Sequence, residues 1–388
     1  MNREGRGPNA VLHVCGDFAK QRIYPRLVTH LTRQGVAQVV YAPVRTQGEA
    51  DWNSTDLAHV QCHFRHILSP RHRVLFRSKV RRVVRDIVAH VDLSGVRLSH
   101  AHFLYSDGAV ALALKRRFGL PYIVAVRNTD INAFMRYRPD LRWIRDRVLL
   151  EASRVVLLSP AYEQILERRL SANLRDEIRL KTLVIPNGVD EEWLIPPPGP
   201  ARSSSGELAL LYVGDFSKNK NLPGLLEAVS RLARTRSLRL TLVGGGGGGS
   251  ATVERLLASG RYPFAKHVGR VEDPSALREI YRDHDVFVMV STRETFGVVY
   301  IEALSQGLPI VHTRGQGVDG YFAAAGVAEA ASPRDPAEIA AKIEAVASRL
   351  PAVKQQCVQE AGRFGWNYIA NTYAELYGAV VSKAGLEH

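Results

Sequence analysis

The chain has 388 residues, 46% of them hydrophobic, with 52 Lys and Arg against 38 Asp and Glu and a formal charge of +14. This length suits two domains, each with apolar residues enough for its own core, and the composition excludes a fibrous or low-complexity chain. The three cysteines, Cys15, Cys62 and Cys357, lie too far apart for a disulfide framework or a metal-ligand spacing, and no run reaches the roughly 18 to 20 apolar residues of a membrane span.

From the N-terminus, short apolar runs bounded by turn residues read as strands: AVLHVC (10–15), AQVVYAP (37–43), RLSHAHF (97–103), PYIVAV (121–126), RVVLLS (154–159) and TLVIP (182–186). Between them RIYPRLVTHLTRQG and GAVALALKRRFG read as amphipathic helices, the second closed by Gly119. Residues 57–85 hold no acidic residue and eight Arg or Lys, and Phe76, Val80, Val83, Val84 and Ile87 form a stripe at helical spacing. Two readings stay open for 64–87: a core-facing helix with a solvated basic face, or a helix lying on an anionic membrane.

IPPPGPARSSSG (195–206) cannot supply a core and reads as a linker over 196–206. Alternation then resumes with LALLYVG (208–214), LRLTLVG (238–244), DVFVMVS (285–291) and LPIVHT (308–313), each followed or separated by helical stretches. Strand and helix in strict alternation imply parallel sheets covered on both faces, and such sheets bind ligands at their carboxyl edges. The expected architecture is α/β: two doubly wound Rossmann-like domains, 1–195 on the acceptor side and 207–363 on the nucleotide side, facing across a cleft. A helix over 364–385 would cross back to the first domain, and 386–388 has the look of a tag remnant.

The stretch RETFGVVYIEALSQGLPIV (293–311) places Glu294 in the turn after the strand DVFVMVS and Glu302 inside the following helix. Eight residues along a helix span about 12 Å. That length suits a ligand with hydroxyl groups at both ends and phosphates between. Each carboxylate accepts hydroxyl hydrogen bonds, and the unpaired amides of Phe296, Gly297 and Val298 at the helix start can hold an anion. By spacing alone, a solvated helix face is equally open.

The same stretch resembles the donor-binding signature of retaining GT-B glycosyltransferases, family 4 in particular. YVGDFSKNKNL (212–222) resembles the family's phosphate loop: Gly214, Lys220 and Asn221 fit, while Asp215 stands where the family has Arg. HVGRVED (267–273) is similar to the loop beneath the nucleobase, which implies backbone contacts at Arg270 and Val271. In the first half, VCGDF puts Gly16 after the first strand, and His102 matches a position the family often fills with His. The family's His-Gly-x-Asp is Arg127-Asn128-Thr129-Asp130 here; an arginine cannot act as a base, so a role for Arg127 is electrostatic.

What the resemblance implies is a retaining, metal-independent transfer of a sugar from an NDP-sugar, UDP ahead of GDP, to a glycan or lipid-linked acceptor in cell-surface polysaccharide synthesis. Glu294, Lys220, Arg127 and Asp130 are the expected catalytic group. Gly214, Asp215, Asn221, Arg270, Val271, Phe296, Gly297, Val298 and Glu302 would bind the donor, and Gly16, His102 and Asn128 would face the acceptor. No cofactor is expected, the NDP-sugar being a substrate, and Asp283-His284-Asp285 reads as structural rather than as a metal site. A nucleotide-sugar epimerase or phosphorylase of the same fold is the alternative enzyme. A basic membrane- or nucleic-acid-binding protein is the alternative outside enzymes, although the lack of interleaved aromatics argues against nucleic acid. Sparse cysteine and the polar start MNREGRGPN give an expected cytoplasmic location, with peripheral attachment at the inner face of the membrane as its extension.

Overall fold

A computed structural model describes residues 10–45, 60–195 and 206–386. The expected linker, save its last residue Gly206, and Glu387 and His388 of the expected tag remnant lie outside the described residues. Contacts divide the chain into two units. One holds the residues up to Leu158, Glu163–Gly188 and the stretch from Trp366; the other holds Ser159–Tyr162 and Val189–Gly365.

The first unit contains β1 (Ala10–Val14), β2 (Gln38–Val44), β3 (Gln61–His66), β4 (Val96–Ala101), β5 (Tyr122–Val126), β6 (Arg154–Leu157) and β7 (Thr182–Val184). They pair in parallel in the order β3-β2-β1-β4-β5-β6-β7. The central strands are buried along their length, as continuous apolar runs with helices on both faces require. The edge strand β3, QCHFRH, is half-exposed and carries no apolar run, which is why the sequence reading passes over it. The C-terminal helix Trp366–Leu386 lays Trp366, Ile369, Tyr373 and Tyr377 against Leu27 and Leu31 of the helix Ile23–Arg33 and against Leu98 and Ile123 of the sheet.

The basic segment forms the helix Phe76–His90. Its apolar stripe is not available to lipid: Val83, Val84 and Ile87 are buried in one cluster with Val39, Tyr41 and Leu68. Burying each such side chain stabilises by roughly 1.5–3 kcal/mol, against about 1 kcal/mol for a cation near an anionic leaflet, so the core wins the stripe. Arg65 lies on β3 instead, where its guanidinium donates to both Asp86 oxygens at 2.9 and 3.1 Å. Lys79 turns inward and donates to Ser106 Oγ at 2.8 Å.

The second unit contains β8 (Leu208–Gly214), β9 (Leu238–Gly244), β10 (Ala265–Gly269), β11 (Val286–Val288), β12 (Ile310–Thr313) and β13 (Ala328–Ala331), parallel in the order β10-β9-β8-β11-β12-β13. One cluster fills its core, from Leu210 and Leu211 of β8 to Phe287 of β11 and Ile339 and Ile343 beyond β13. Val189 and Trp193 belong to this cluster, and Val189 bridges to Gly365, so the contact division falls at Gly188/Val189 rather than at 195/196. At the ends of β8 and β9, a Cβ on Gly244 would lie 2.0 Å from the Gly214 oxygen, so only glycine lets these strands close.

Strand order reverses between β1 and β4 in one sheet and between β8 and β11 in the other. The carboxyl ends at such reversals are where open α/β sheets hold ligands.

Candidate functional site

In the second unit the loop after β8 and the loop after β11 meet at this reversal. Lys220 ends the short turn Lys218–Lys220, and its ammonium lies 2.9 Å from Glu294 Oε2. Glu294 is fixed from every side. Oε1 accepts from the Thr295 amide at 2.9 Å, Oε2 also accepts from Ser291 Oγ at 3.4 Å, and its own amide donates to Gln316 Oε1 at 2.9 Å. Tyr162 Oη donates to the Glu294 carbonyl at 3.1 Å. The pair is largely buried, so carboxylate and ammonium are held in one geometry rather than waving in solvent.

The helix Val298–Ser305 starts beside this pair. Its cap, Gly297, has φ +80°, and a Cβ there would lie 2.4 Å from the Tyr300 ring. Glycine is therefore required to turn the chain into the helix, and the first amides point outward without an intrahelical partner. The Phe296 side chain is buried in the core, so only its backbone is available to a ligand. One turn on, Glu302 Oε2 accepts from Tyr281 Oη at 3.1 Å. Burial pushes the Glu302 carboxyl up to about 7, opposed by the Tyr281 hydrogen bond and reinforced by Asp190.

Other residues of the expected donor set take scaffolding positions. Asn221 adopts φ +55° and its amide donates to the Val290 carbonyl at 3.2 Å and the Pro333 carbonyl at 2.8 Å, tying the phosphate-loop segment to the strand end opposite. Asp215 is exposed and accepts from the Ser217 amide at 2.8 Å, so it shapes the loop. Arg270 and Val271 follow β10, with Arg270 paired only to the equally exposed Glu272. In the run of six glycines, Phe216 N donates to the Gly246 carbonyl at 2.8 Å, which closes this turn onto the loop after β8.

In the first unit, Asp130 organises the loop after β5. Its carboxylate accepts from the amides of Arg127, Leu104 and Tyr105 at 2.9, 3.1 and 3.3 Å. Burial pushes it up to about 6, the three amides pulling back. The expected catalytic Asp130 is thus a buried staple acting through its loop. Arg127 is buried as well: Nε donates to the His102 carbonyl and Nη1 to Asn187 Oδ1, both at 3.3 Å, and the guanidinium lies 5.7 Å from the Tyr24 ring centre. Asn128 accepts from Asn132. The Gly16 amide donates to Asp107 Oδ2 at 3.3 Å. Expected on the acceptor side, His102 instead has a fully buried ring facing His13, because the alternation of β4 turns it into the core.

The two halves match two family descriptions: Glycosyltransferase Family 4 over residues 23–193 and Glycosyl transferases group 1 over residues 207–349. The chain belongs to the GT-B glycosyltransferases of family 4. Among curated relatives, this glycosyltransferase is 28% identical over 326 residues to a D-inositol 3-phosphate glycosyltransferase of Segniliparus rotundus, covering 78% of this chain and 70% of that one. It is also 28% identical over 221 residues to a glycogen synthase of Mycobacterium tuberculosis, covering 53% and 52%. Among solved structures, a sucrose-phosphate synthase from Thermosynechococcus elongatus superposes with TM-score 0.70 at 19% identity, covering 97% of this chain and all of that one. HepE of Anabaena in complex with UDP superposes with TM-score 0.68 at 17% identity, covering 96% and 100%.

Several positioning residues of the glycosyltransferase escape a motif reading. Gln316, Tyr162 and Ser291 hold Glu294, and only the glycine-rich TRGQGVDG around Gln316 hints at a close approach. Arg138, Arg142, Arg145, Arg168 and Arg169 line a cavity of about 390 Å³ in the first unit, with Tyr105 in its wall. Arg138 pairs with Asp140 and Arg145 with Asp146, but Arg142, Arg168 and Arg169 make no ion pair among the described residues. Being spread over two helices and their loops, these arginines form no pattern in the sequence. Asp283 pairs with Arg239, His284 bonds Thr241 Oγ1, and Asp285 accepts from the Ala209 amide, so this triplet is structural.

Proposed function

We propose that this glycosyltransferase moves a sugar, with retention at the anomeric carbon, from an NDP-sugar to the hydroxyl of a phosphate-bearing acceptor, with UDP ahead of GDP as the nucleotide. The carrying observation is the Lys220–Glu294 pair at the β8/β11 reversal, beside the unpaired amides at the start of the helix Val298–Ser305. Lys220 neutralises the diphosphate, the amides of Phe296 to Val298 receive its oxygens or the sugar hydroxyls, Glu294 accepts from the sugar and Glu302 from the ribose. HepE, with the same fold, is a structure in complex with UDP, which supports the choice of nucleotide.

The reaction breaks the bond from the anomeric carbon to the diphosphate oxygen and forms one to the acceptor oxygen. No side chain in this set stands as a nucleophile, so attack comes from the face the diphosphate leaves, and the departing phosphate oxygen takes the acceptor proton. Catalysis then rests on orientation and on stabilising the charge of the leaving group, for which Lys220 and the helix amides are already in place and no catalytic metal is invoked.

The acceptor class rests on the arginine-lined cavity. Cations held without carboxylate partners draw a phosphate. Tyr105, in the cavity wall, donates its amide to Asp130, which connects the cavity to the Arg127 loop. The curated relative named for D-inositol 3-phosphate is consistent with a phosphorylated polyol, and a lipid-linked diphosphate presents the same chemistry. For peripheral attachment, the buried stripe leaves the exposed Val74 and Leu75 beside Arg71, Arg73 and Arg77, with Arg77 stacked 4.8 Å over Trp143.

Proton NMR of the product tests the reading. Incubation of UDP- and GDP-sugars with a phosphorylated polyol or a lipid-linked diphosphate is expected to give a new glycoside with the donor's anomeric configuration. An inverted product, or sugar interconversion without acceptor, would defeat it.

A further inference from the structure

Where β1 meets β4, the sheet brings three histidines together that the sequence keeps 87 and 89 residues apart. His13 is the register partner of His100, and His102, two residues on, lies on the same face. All three rings are fully buried. One nitrogen from each lies within 4.8 Å of the others, against roughly 3.3 Å between two nitrogens on a tetrahedral Zn²⁺ with 2.0–2.1 Å bonds.

The rings do not satisfy one another. His13 Nδ1 lies 3.0 Å from His102 Nε2, and His100 Nδ1 lies 2.8 Å from Tyr377 Oη, but His13 Nε2, His100 Nε2 and His102 Nδ1 are buried with no hydrogen-bond partner. Buried polar nitrogens in such number ask for an occupant or a water. We propose that His13, His100 and His102 hold one transition-metal ion, with Zn²⁺ as its type, as a structural tie between β1 and β4. The site lies outside the donor and acceptor machinery, and the proposal is independent of the reaction assigned above.

The donor set selects the ion class. Three imidazoles without a carboxylate suit zinc and its neighbours and exclude the oxygen-seeking Mg²⁺ and Ca²⁺. Burial keeps the rings neutral, which is the ligating form. Tyr377 supplies the outer partner that a metal-bound histidine uses: with Nδ1–H donated to Tyr377 Oη, His100 Nε2 is left as ligand. The set is uncharged and Arg127 adds positive potential, so affinity falls below that of thiolate sites. The tie would also steady the His102 carbonyl that receives Arg127 Nε.

The test uses the full chain carrying no polyhistidine tag, stripped with a chelator. Competition with a chromophoric chelator is expected to give about one Zn²⁺ per chain, and Co²⁺ to give the strong visible absorption of a tetrahedral site. Tyr377→Phe keeps the packing and is expected to weaken Zn²⁺ about 10-fold or more, and His100→Gln to abolish it. His63→Gln, outside the cluster, should leave it unchanged. Should the histidine variant not fold, zinc-edge anomalous density between the three rings of the wild type decides alone. Failure of folded wild type to retain Zn²⁺, undiminished binding in folded variants, or anomalous density elsewhere would overturn the proposal and leave a hydrogen-bonded histidine cluster.

Discussion

Replacing Glu302 by Gln should change how the second unit's stability depends on pH. The native carboxyl is pushed by burial from 4.5 to about 7, so the folded state holds its proton more tightly than the unfolded chain does. Its contribution is fully present below pH 4.5 and is lost as pH rises through about 7; the gap, at about 1.4 kcal/mol per pH unit, amounts to about 3 kcal/mol. Glutamine keeps an acceptor for Tyr281 Oη and never ionises. Wild type and Glu302→Gln should therefore match near pH 4.5, with the variant more stable by about 3 kcal/mol at pH 8.5. Asp130 shifts in the same direction in the other unit, so a whole-chain signal mixes the two. Trp193 removes that ambiguity: it is the only tryptophan between residues 189 and 365, and its ring sits 5.5 Å from Tyr281. Urea titrations followed by ¹⁹F NMR of fluorotryptophan-labelled protein read this unit alone. Parallel pH profiles, differing by less than about 1 kcal/mol across the range, would refute a desolvated Glu302.

Lys220→Met should weaken nucleoside diphosphate binding about 10- to 100-fold, the value of about 1.5–3 kcal/mol for hydrogen bonds to charged groups, as read by calorimetry. Arg142→Glu with Arg168→Glu should raise the acceptor KM at least about 10-fold while leaving nucleotide affinity unchanged; equal losses in both would remove the cavity from the acceptor side. Gly297→Ala forces a side chain into φ +80° against Tyr300 and should cost about 1–3 kcal/mol, seen as a lowered Tm of the second unit. Anionic vesicles should sediment the protein in a salt-labile manner, with Val74→Ser and Leu75→Ser reducing the bound fraction; retention unchanged by salt and by both substitutions would end the peripheral reading.

The central strands were legible because residues buried on both faces leave unbroken apolar runs; β8 and β9 match LALLYVG and LRLTLVG residue for residue. Edge strands carry no such run: QCHFRH, AKHVG and the alanine-rich AEAA are half-buried or exposed and gain their pairing from the sheet. The donor motif was legible because glycine and two glutamates are needed at fixed offsets around one helix start. What held those glutamates was not: Gln316 and Tyr162 reach Glu294 from 22 and 132 residues away. His102, Asp130 and Asn221 show the opposite failure, since a motif gives a residue's place in a loop but not the direction of its side chain.

The β8/β11 edge as the nucleotide-sugar site is tested most directly by calorimetry of wild type and Lys220→Met with UDP, GDP, ADP and their sugars. The account predicts that one nucleotide series binds wild type with an increment for the attached sugar, and that the variant loses most of that affinity. Binding by none of them, or binding that Lys220→Met leaves intact, would contradict it.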